Sequence, residues 1–257
     1  MKKYIIKRFL LAIPMIFAIS FIAFILINLI PSDPAEVALR VNEIVPTPEA
    51  IEAMRKELGL NQPFIIRYWN WLLDCLRLDF GVSYTNTSRT VLGEITRCLP
   101  ATLKLASMSL FIVIFISIPI GVLSAVYKNS IFDRIVRSIV FIGTAMPNYW
   151  LGLLLMWLFA VQLRWLPTNG AISMKHYILP AITLSMTYIS TYVRLIRNSM
   201  LDNMSENYVF YAKVRGIKNR VITYKHILKN SLQACMTALG MSIVQLIAGT
   251  VVVENIF

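Results

Sequence analysis

The amino-acid sequence predicts an all-α membrane protein, a polytopic helical bundle with a small helical segment outside the membrane. Hydrophobic residues make up 57% of the chain and charged residues 15%, well below the roughly 25% charged residues of a soluble domain. A soluble fold of this composition would have more apolar side chains than its interior could bury. A lipid bilayer supplies the missing apolar surroundings, so we expect the chain to cross one several times.

The first predicted span is Phe9–Ile30, 22 residues without a charge that follow a basic N-terminus. This arrangement resembles a signal peptide, but the apolar run is longer than a signal sequence needs and no small-residue cleavage site follows it. We therefore predict a retained first transmembrane helix.

Four further stretches have about the 20 apolar residues that a helix needs to cross the hydrocarbon core. Pro119 is expected to kink the second span, and Met146-Pro147-Asn148 interrupts the third. The chain stops soon after the fifth span, so we expect a C-terminal truncation with at least one further helix missing. The four spans are Leu105–Val126, Ile139–Leu163, Ile178–Leu195 and Leu232–Val253.

Basic residues mark one side of the predicted membrane. They cluster before span one, between spans two and three and between spans four and five, and are rare between spans three and four. The positive-inside rule places the N-terminus and both basic loops in the cytoplasm. The net charge of +12 is spread over short clusters between apolar runs, so we expect the lipid bilayer and no nucleic acid as a partner.

The segment 31–104 is then predicted to lie outside, between the span in 1–30 and a transmembrane core in 105–257. It carries eight basic and nine acidic residues. Thr47 is a predicted N-cap before Pro48, and Gly59 is expected to end that helix. A second amphipathic helix, Ile65–Leu78, contains three aromatic residues that either lie at the membrane interface or pack the external segment on itself: Tyr68, Trp69 and Trp71.

The sequence contains no recognisable catalytic motif. There is no Walker phosphate loop, GxGxxG, HExxH or GxSxG pattern, and the predicted spans are almost free of the ionisable residues that an intramembrane enzyme needs. The two histidines lie far apart, and the twelve methionines are ordinary filler of apolar helices as well as soft ligands. We therefore expect no enzyme, no cofactor and no resident metal site.

A basic loop, 198–231, follows span four. A helical pattern begins at Tyr208, Gly216 stands where that helix should stop, and a second short helix should begin near Asn219. The simpler interpretation is a loop that touches anionic lipid. The alternative is a projection that docks into another protein, because a helix–glycine–helix hairpin has more shape than lipid attraction requires.

Ala212-x-x-x-Gly216 followed by His226-Ile-Leu-Lys-Asn230 resembles the coupling loop of bacterial ABC-importer permeases of the dipeptide, oligopeptide and nickel group. The resemblance extends along nearly the whole chain and is closest to nickel-transport permeases. The usual acidic first position of the coupling motif falls on Phe210, a departure that is common in this group. Further segments that match the group are Leu58–Pro63, Leu78–Ser83, Leu99–Leu103, Met146–Trp150, Trp165–Pro167 and His176–Pro180. The segments that resemble the nickel branch are Pro46–Pro48, Leu78–Ser83, Ser199–Asp202 and Val253–Phe257.

The resemblance implies a multi-pass permease of the bacterial inner membrane, with five spans present of an expected six. It also implies a second permease subunit, two cytoplasmic ATPase subunits and an external substrate-binding protein as partners. ATP hydrolysis would belong to the ATPase subunits. The loop residues expected to transmit ATPase closure are Tyr211, Ala212, Gly216, His226 and Asn230. For Ala212 and Gly216, the alternative is a purely local role in forming and ending the helix.

The substrate path is less marked in the sequence. Unwound backbone at Met146, Pro147 and Asn148 would suit a cavity lining, and a simple proline kink is the alternative. Glu254 either meets a cationic cargo or marks the membrane interface. The cargo itself stays open between nickel or a nickel complex, dipeptides or oligopeptides, and another metal chelate. A passive channel and a scaffold are the alternatives from other classes.

Overall fold

The structure is a computed structural model that describes residues 2–83 and 86–257. It divides into two compact units, residues 1–98 and 99–257. Almost all of its regular secondary structure is helical.

The first unit contains four helices and a two-stranded antiparallel sheet. Thr47 caps the third helix as predicted, because its hydroxyl accepts a hydrogen bond of 3.3 Å from the backbone N–H of Ala50. Gly59 has a φ of +65°, the left-handed conformation of a residue that follows a helix. The second helix and the sheet were not predicted. The elements are α1 (Lys2–Asn28), α2 (Pro34–Val41), α3 (Pro48–Glu57), α4 (Phe64–Leu76), β1 (Val82–Ser83) and β2 (Asn86–Thr90).

Helix α4 packs against α1 through Tyr68. The ring of Tyr68 is buried and meets Phe21 edge-on at a centroid distance of 5.0 Å. Its hydroxyl lies 2.9 Å from the hydroxyl of Ser20. Tyr68 therefore packs on the first predicted span, while Trp69 and Trp71 stay partly exposed. The choice between membrane interface and packing within the external segment stays a prediction.

The second unit is a bundle centred on one long helix, α8. Twelve residues of α8 are buried, and α8 packs against α6, α7 and α11. Two π-helical segments occur, one after α7 at Met156–Gln162 and one before α11 at Ile222–Ile227. The helices are α5 (Val91–Val126, which begins in the first unit), α6 (Ile131–Ala145), α7 (Asn148–Leu155), α8 (Met174–Met204), α9 (Asn207–Val214), α10 (Asn219–Val221) and α11 (Leu228–Glu254).

The predicted all-α polytopic architecture is confirmed, but the spans differ in detail from the five predicted. Within the described residues, three helical stretches are long and apolar enough to cross a membrane, Lys3–Asn28, Val91–Val126 and Asn219–Glu254. The third predicted span is instead two helices, α6 and α7, bent by 106° at the Pro147 break. The fourth, Ile178–Leu195, lies in α8, which is not among these stretches because its apolar residues alternate with serine, threonine and tyrosine.

Candidate functional site

The loop after α8 has the predicted helix–glycine–helix form. Helix α8 ends at Met204, α9 begins at Asn207, and α10 begins at Asn219 as expected from the sequence. Helix α10 continues through the π-helical segment Ile222–Ile227 into α11. The hairpin is therefore joined without an extended linker to the two longest helices of the C-terminal half.

Gly216 closes α9 with a Schellman turn. Its N–H donates to the carbonyl of Lys213 at 2.9 Å, and the N–H of Ile217 donates to the carbonyl of Ala212 at 3.1 Å. The φ of Gly216 is +71°, a conformation that costs an L-residue with a side chain free energy. A Cβ added there would have no atom within 4 Å. The turn therefore requires glycine for its backbone conformation and not for lack of space.

Helix α9 has two chemically different faces. Val209 and Ala212 are buried in the same core cluster as Ile196 and Met200 of α8. Ala212 is thus small because it packs α9 onto its own bundle. On the other face, three large apolar side chains are exposed by 65 to 70%: Phe210, Tyr211 and Val214. We call these three residues the docking face.

The docking face was only partly anticipated from the sequence. Tyr211 was a predicted coupling residue, whereas Phe210 was noted only as a departure from the acidic residue of the family. Because Phe210 is exposed, its aromatic ring makes the apolar surface of α9 larger than an acidic residue would. Of the remaining predicted loop residues, His226 is half-buried in the π-helical segment that α9 packs on, and Asn230 is exposed on α11.

The break between α6 and α7 is sharper than a proline kink. Met146 has an extended backbone, with φ −84° and ψ 129°, the conformation favoured before proline. Pro147 is also extended, with φ −64° and ψ 137°. Two consecutive residues thus leave the helical conformation, and the simple-kink alternative is wrong.

A hollow of about 390 Å³ opens beside this break. Met146 and Pro147 line it together with Phe141, Ile142, Ala145, Tyr149 and Trp150. Asn148, the third predicted path residue, is half-buried and accepts a hydrogen bond from the hydroxyl of Thr187 on α8. Glu254, the fourth, is exposed at the C-terminal end of α11.

An ion pair that the sequence analysis missed joins α6 to α8. Asp133 is fully buried, and its carboxylate accepts hydrogen bonds from both Nε and Nη2 of Arg197 at 2.7 and 2.8 Å. The hydroxyl of Ser124 on α5 and the backbone N–H of Asn129 donate to the same carboxylate at 2.5 and 3.0 Å. The sequence analysis had counted Arg197 only among the basic residues between spans four and five. The available signal was Asp133, the single acidic residue between the second and third predicted spans.

The charged groups suggest no metal centre. Among residues 2–83 and 86–257, no group of three or more histidine, cysteine, aspartate or glutamate side chains is placed to hold a metal ion. The buried charge of Asp133 is instead matched by Arg197. Its arrangement suits a structural or mechanical connection between helices.

Comparison with known proteins agrees with this picture. Residues 1–106 match the N-terminal family model of binding-protein-dependent transport system membrane components, and residues 117–257 match the model of binding-protein-dependent transport system inner membrane components. The whole chain is 36% identical to the metal-staphylopine import system permease protein CntB of Staphylococcus aureus and covers 82% of it. It is 34% identical to the glutathione transport system permease protein GsiC of Escherichia coli K12 and covers 83% of it. The chain therefore belongs to the family of binding-protein-dependent transport system inner membrane components, the permeases of ABC importers.

Proposed function

We propose that this permease carries nickel, or nickel held in a small complex, from an external binding protein into the cytoplasm. A dipeptide or oligopeptide is the alternative cargo. In this proposal the chain pairs with a second permease subunit, and two ATPase subunits bind on the cytoplasmic side, where the basic loops are predicted to lie. The N-terminus is then cytoplasmic as well.

The observation that carries the proposal of an ATP-driven importer is the docking face of α9, which offers a binding surface for an ATPase subunit. Phe210, Tyr211 and Val214 project from a helix whose opposite face is fixed in the bundle core. Covering three such side chains with a partner would contribute about 3–5 kcal/mol of apolar burial. The sequence has no phosphate-binding loop of its own, so a partner must hydrolyse the ATP that drives import, and this face is where we place that partner.

Two features support an organic or complexed cargo over a bare hydrated ion. The hollow beside the α6–α7 break has a volume in the range of small-molecule sites, and aromatic side chains such as Tyr149 and Trp150 line it. Of the two relatives, one is named for import of a metal–staphylopine complex and the other for glutathione transport. The resemblance of the chain to nickel-transport permeases favours the metal complex.

Uptake measurements in cells test the cargo. Cells that carry this gene with its neighbouring subunits would be compared with a strain that lacks only this permease, with labelled nickel, labelled nickel with an excess of a small chelator, and a labelled dipeptide. Loss of nickel uptake alone supports the proposal, and faster uptake with the chelator identifies the complex as cargo. Loss of dipeptide uptake alone would establish the alternative cargo, and no change in any of the three would contradict both.

A further inference from the structure

Helix α8 presents a row of polar residues to the broken helix α6–α7. The row consists of Thr183, Thr187, Ser190 and Arg197, which follow one another at spacings of four, three and seven residues. Such spacings place side chains on one face of a helix. We call this row the α8 seam.

The upper part of the seam contacts the broken helix on both sides of Pro147. Thr187 donates its hydrogen bond to Asn148, just after the break. A Cβ added to Gly152 would lie 3.1 Å from the methyl group of Thr183. Before the break, Gly143 packs so closely on Ser190 that an added Cβ would overlap the serine hydroxyl and lie 3.6 Å from the serine Cβ.

The lower end of the seam is the buried ion pair. Arg197 binds both oxygens of Asp133, near the start of α6, and only 13% of the arginine side chain is exposed. Without Arg197 the buried carboxylate would keep only Arg137 of α6, a half-exposed side chain whose Nε lies 3.5 Å from Oδ2, so breaking the Arg197 contact would destabilise the folded state. The pair should therefore stay closed while the helices move.

The same α8 also leads directly to the docking helix. Only two residues separate the end of α8 from the start of α9. Val209 and Ala212 of α9 share a core cluster with Ile196 and Met200, which flank Arg197 along α8. A displacement of α9 therefore reaches α8 along this short connection, and also through the π-helical segment Ile222–Ile227, which contacts both helices.

We propose that Asp133 and Arg197 are positioning residues of the transport cycle. The ion pair, with the Thr187–Asn148 hydrogen bond, makes α8 and the broken helix move as one body. Movement of α9 thereby reaches the hollow at Met146–Asn148. The inference rests on the proposed docking of an ATPase at α9.

Substitutions that loosen the seam test it in the complete complex, reconstituted in proteoliposomes with its ATPase subunits and binding protein. Arg197→Lys removes the bidentate contact, and Thr187→Val removes the upper hydrogen bond. We expect cargo transported per ATP hydrolysed to fall about tenfold for Arg197→Lys and about threefold for Thr187→Val, while the ATPase rate stays within about twofold. Ser124→Ala is the matched control, because it removes one hydrogen bond to Asp133 but leaves the α6–α8 contact, and we expect a normal ratio.

A cross-link tests the same inference in the opposite direction. The 3.6 Å Cβ separation at Gly143 and Ser190 suits a disulfide, whose Cβ atoms lie about 3.5–4.5 Å apart. In a chain whose native cysteines are serines, Gly143→Cys with Ser190→Cys should transport equally well oxidised and reduced, because helices that move together tolerate being tied.

The outcomes separate the inference from the function on which it rests. ATP-dependent uptake by the unsubstituted complex tests the proposed function without any variant. A normal transport-to-ATP ratio in Thr187→Val and Arg197→Lys would overturn the inference, and so would transport that stops on oxidation and returns on reduction. If Arg197→Lys fails to assemble, Thr187→Val and the disulfide decide the question.

Discussion

Gly216→Val tests whether the Schellman turn transmits ATPase closure. Valine at this position must adopt a φ of +71°, which costs an L-residue roughly 1–2 kcal/mol and a β-branched residue at least the upper value. Open space around an added Cβ excludes a steric contribution from neighbouring groups. A cost of about 2 kcal/mol lowers the population of the native turn by about thirtyfold relative to competing turns.

We therefore expect ATP-dependent uptake by the Gly216→Val variant to fall at least about tenfold. The core contacts of Val209 and Ala212 are unchanged, so the amount of permease in the membrane should stay normal. Uptake into right-side-out membrane vesicles loaded with ATP and immunoblots of the membrane fraction measure these two quantities, and co-purification measures whether the ATPase subunits still bind.

Two control substitutions separate the turn from general backbone strain. Gly216→Asn should retain most uptake, because asparagine tolerates the left-handed conformation. Gly59→Val imposes nearly the same strain, since Gly59 has a φ of +65° and equally open surroundings, but it lies between α3 and α4, far along the chain from the docking loop. Normal uptake by Gly216→Val, or an equal loss in Gly59→Val, would refute the role assigned to the turn.

Three further outcomes are expected. Replacing Phe210 and Tyr211 together with alanine should weaken ATPase co-purification at least about tenfold by removing about 2–3 kcal/mol of apolar burial, without lowering the melting temperature of the isolated chain. Val209→Ala should instead lower the melting temperature and leave ATPase co-purification unchanged, because truncating this buried side chain costs about 1–3 kcal/mol of stability. Burial, and then the charges of Asp74 and Asp79, raise the pKa of the Cys75 thiol. With the other cysteines replaced by serine, alkylation of Cys75 should therefore reach half-maximal rate above about pH 8.5, the ordinary thiol pKa. A midpoint at or below that pH would contradict the raised pKa.

The features that the sequence predicted well are local ones. The Thr47 cap, the left-handed Gly216 and the break at Met146-Pro147 each depend on the backbone preference of one or two residues. Such preferences act within a turn of chain, so the sequence contains them directly. The size of the break, 106°, depends on how α7 packs against α8 and was beyond that local information.

The Asp133–Arg197 pair shows why contacts between distant helices escaped prediction. The two residues are 64 positions apart, and each stands near the end of an apolar run, where charged residues commonly mark the membrane boundary. Apart from Asp133 being the single acidic residue of its loop, nothing in either local sequence distinguishes a buried partner from an exposed charge. The unpredicted helix α2 has a related cause, because its burial of Ala35 and Ala38 depends on neighbours outside the helix.

The remaining difference between prediction and structure concerns the fourth predicted span, which lies in α8 and is too polar to count as a membrane span by mean hydropathy. Mean hydropathy measures how well a helix suits lipid, and α8 is surrounded by protein, with buried polar residues such as Thr183, Ser185 and Ser190. The first two hydroxyls donate to carbonyls of their own helix, Leu179 and Ile182, so their burial leaves no donor unpaired. Small hydroxyl side chains also let neighbouring helices approach closely, as Gly143 does at Ser190. Making α8 more apolar would therefore improve its fit to lipid while removing the contacts through which it holds the broken helix.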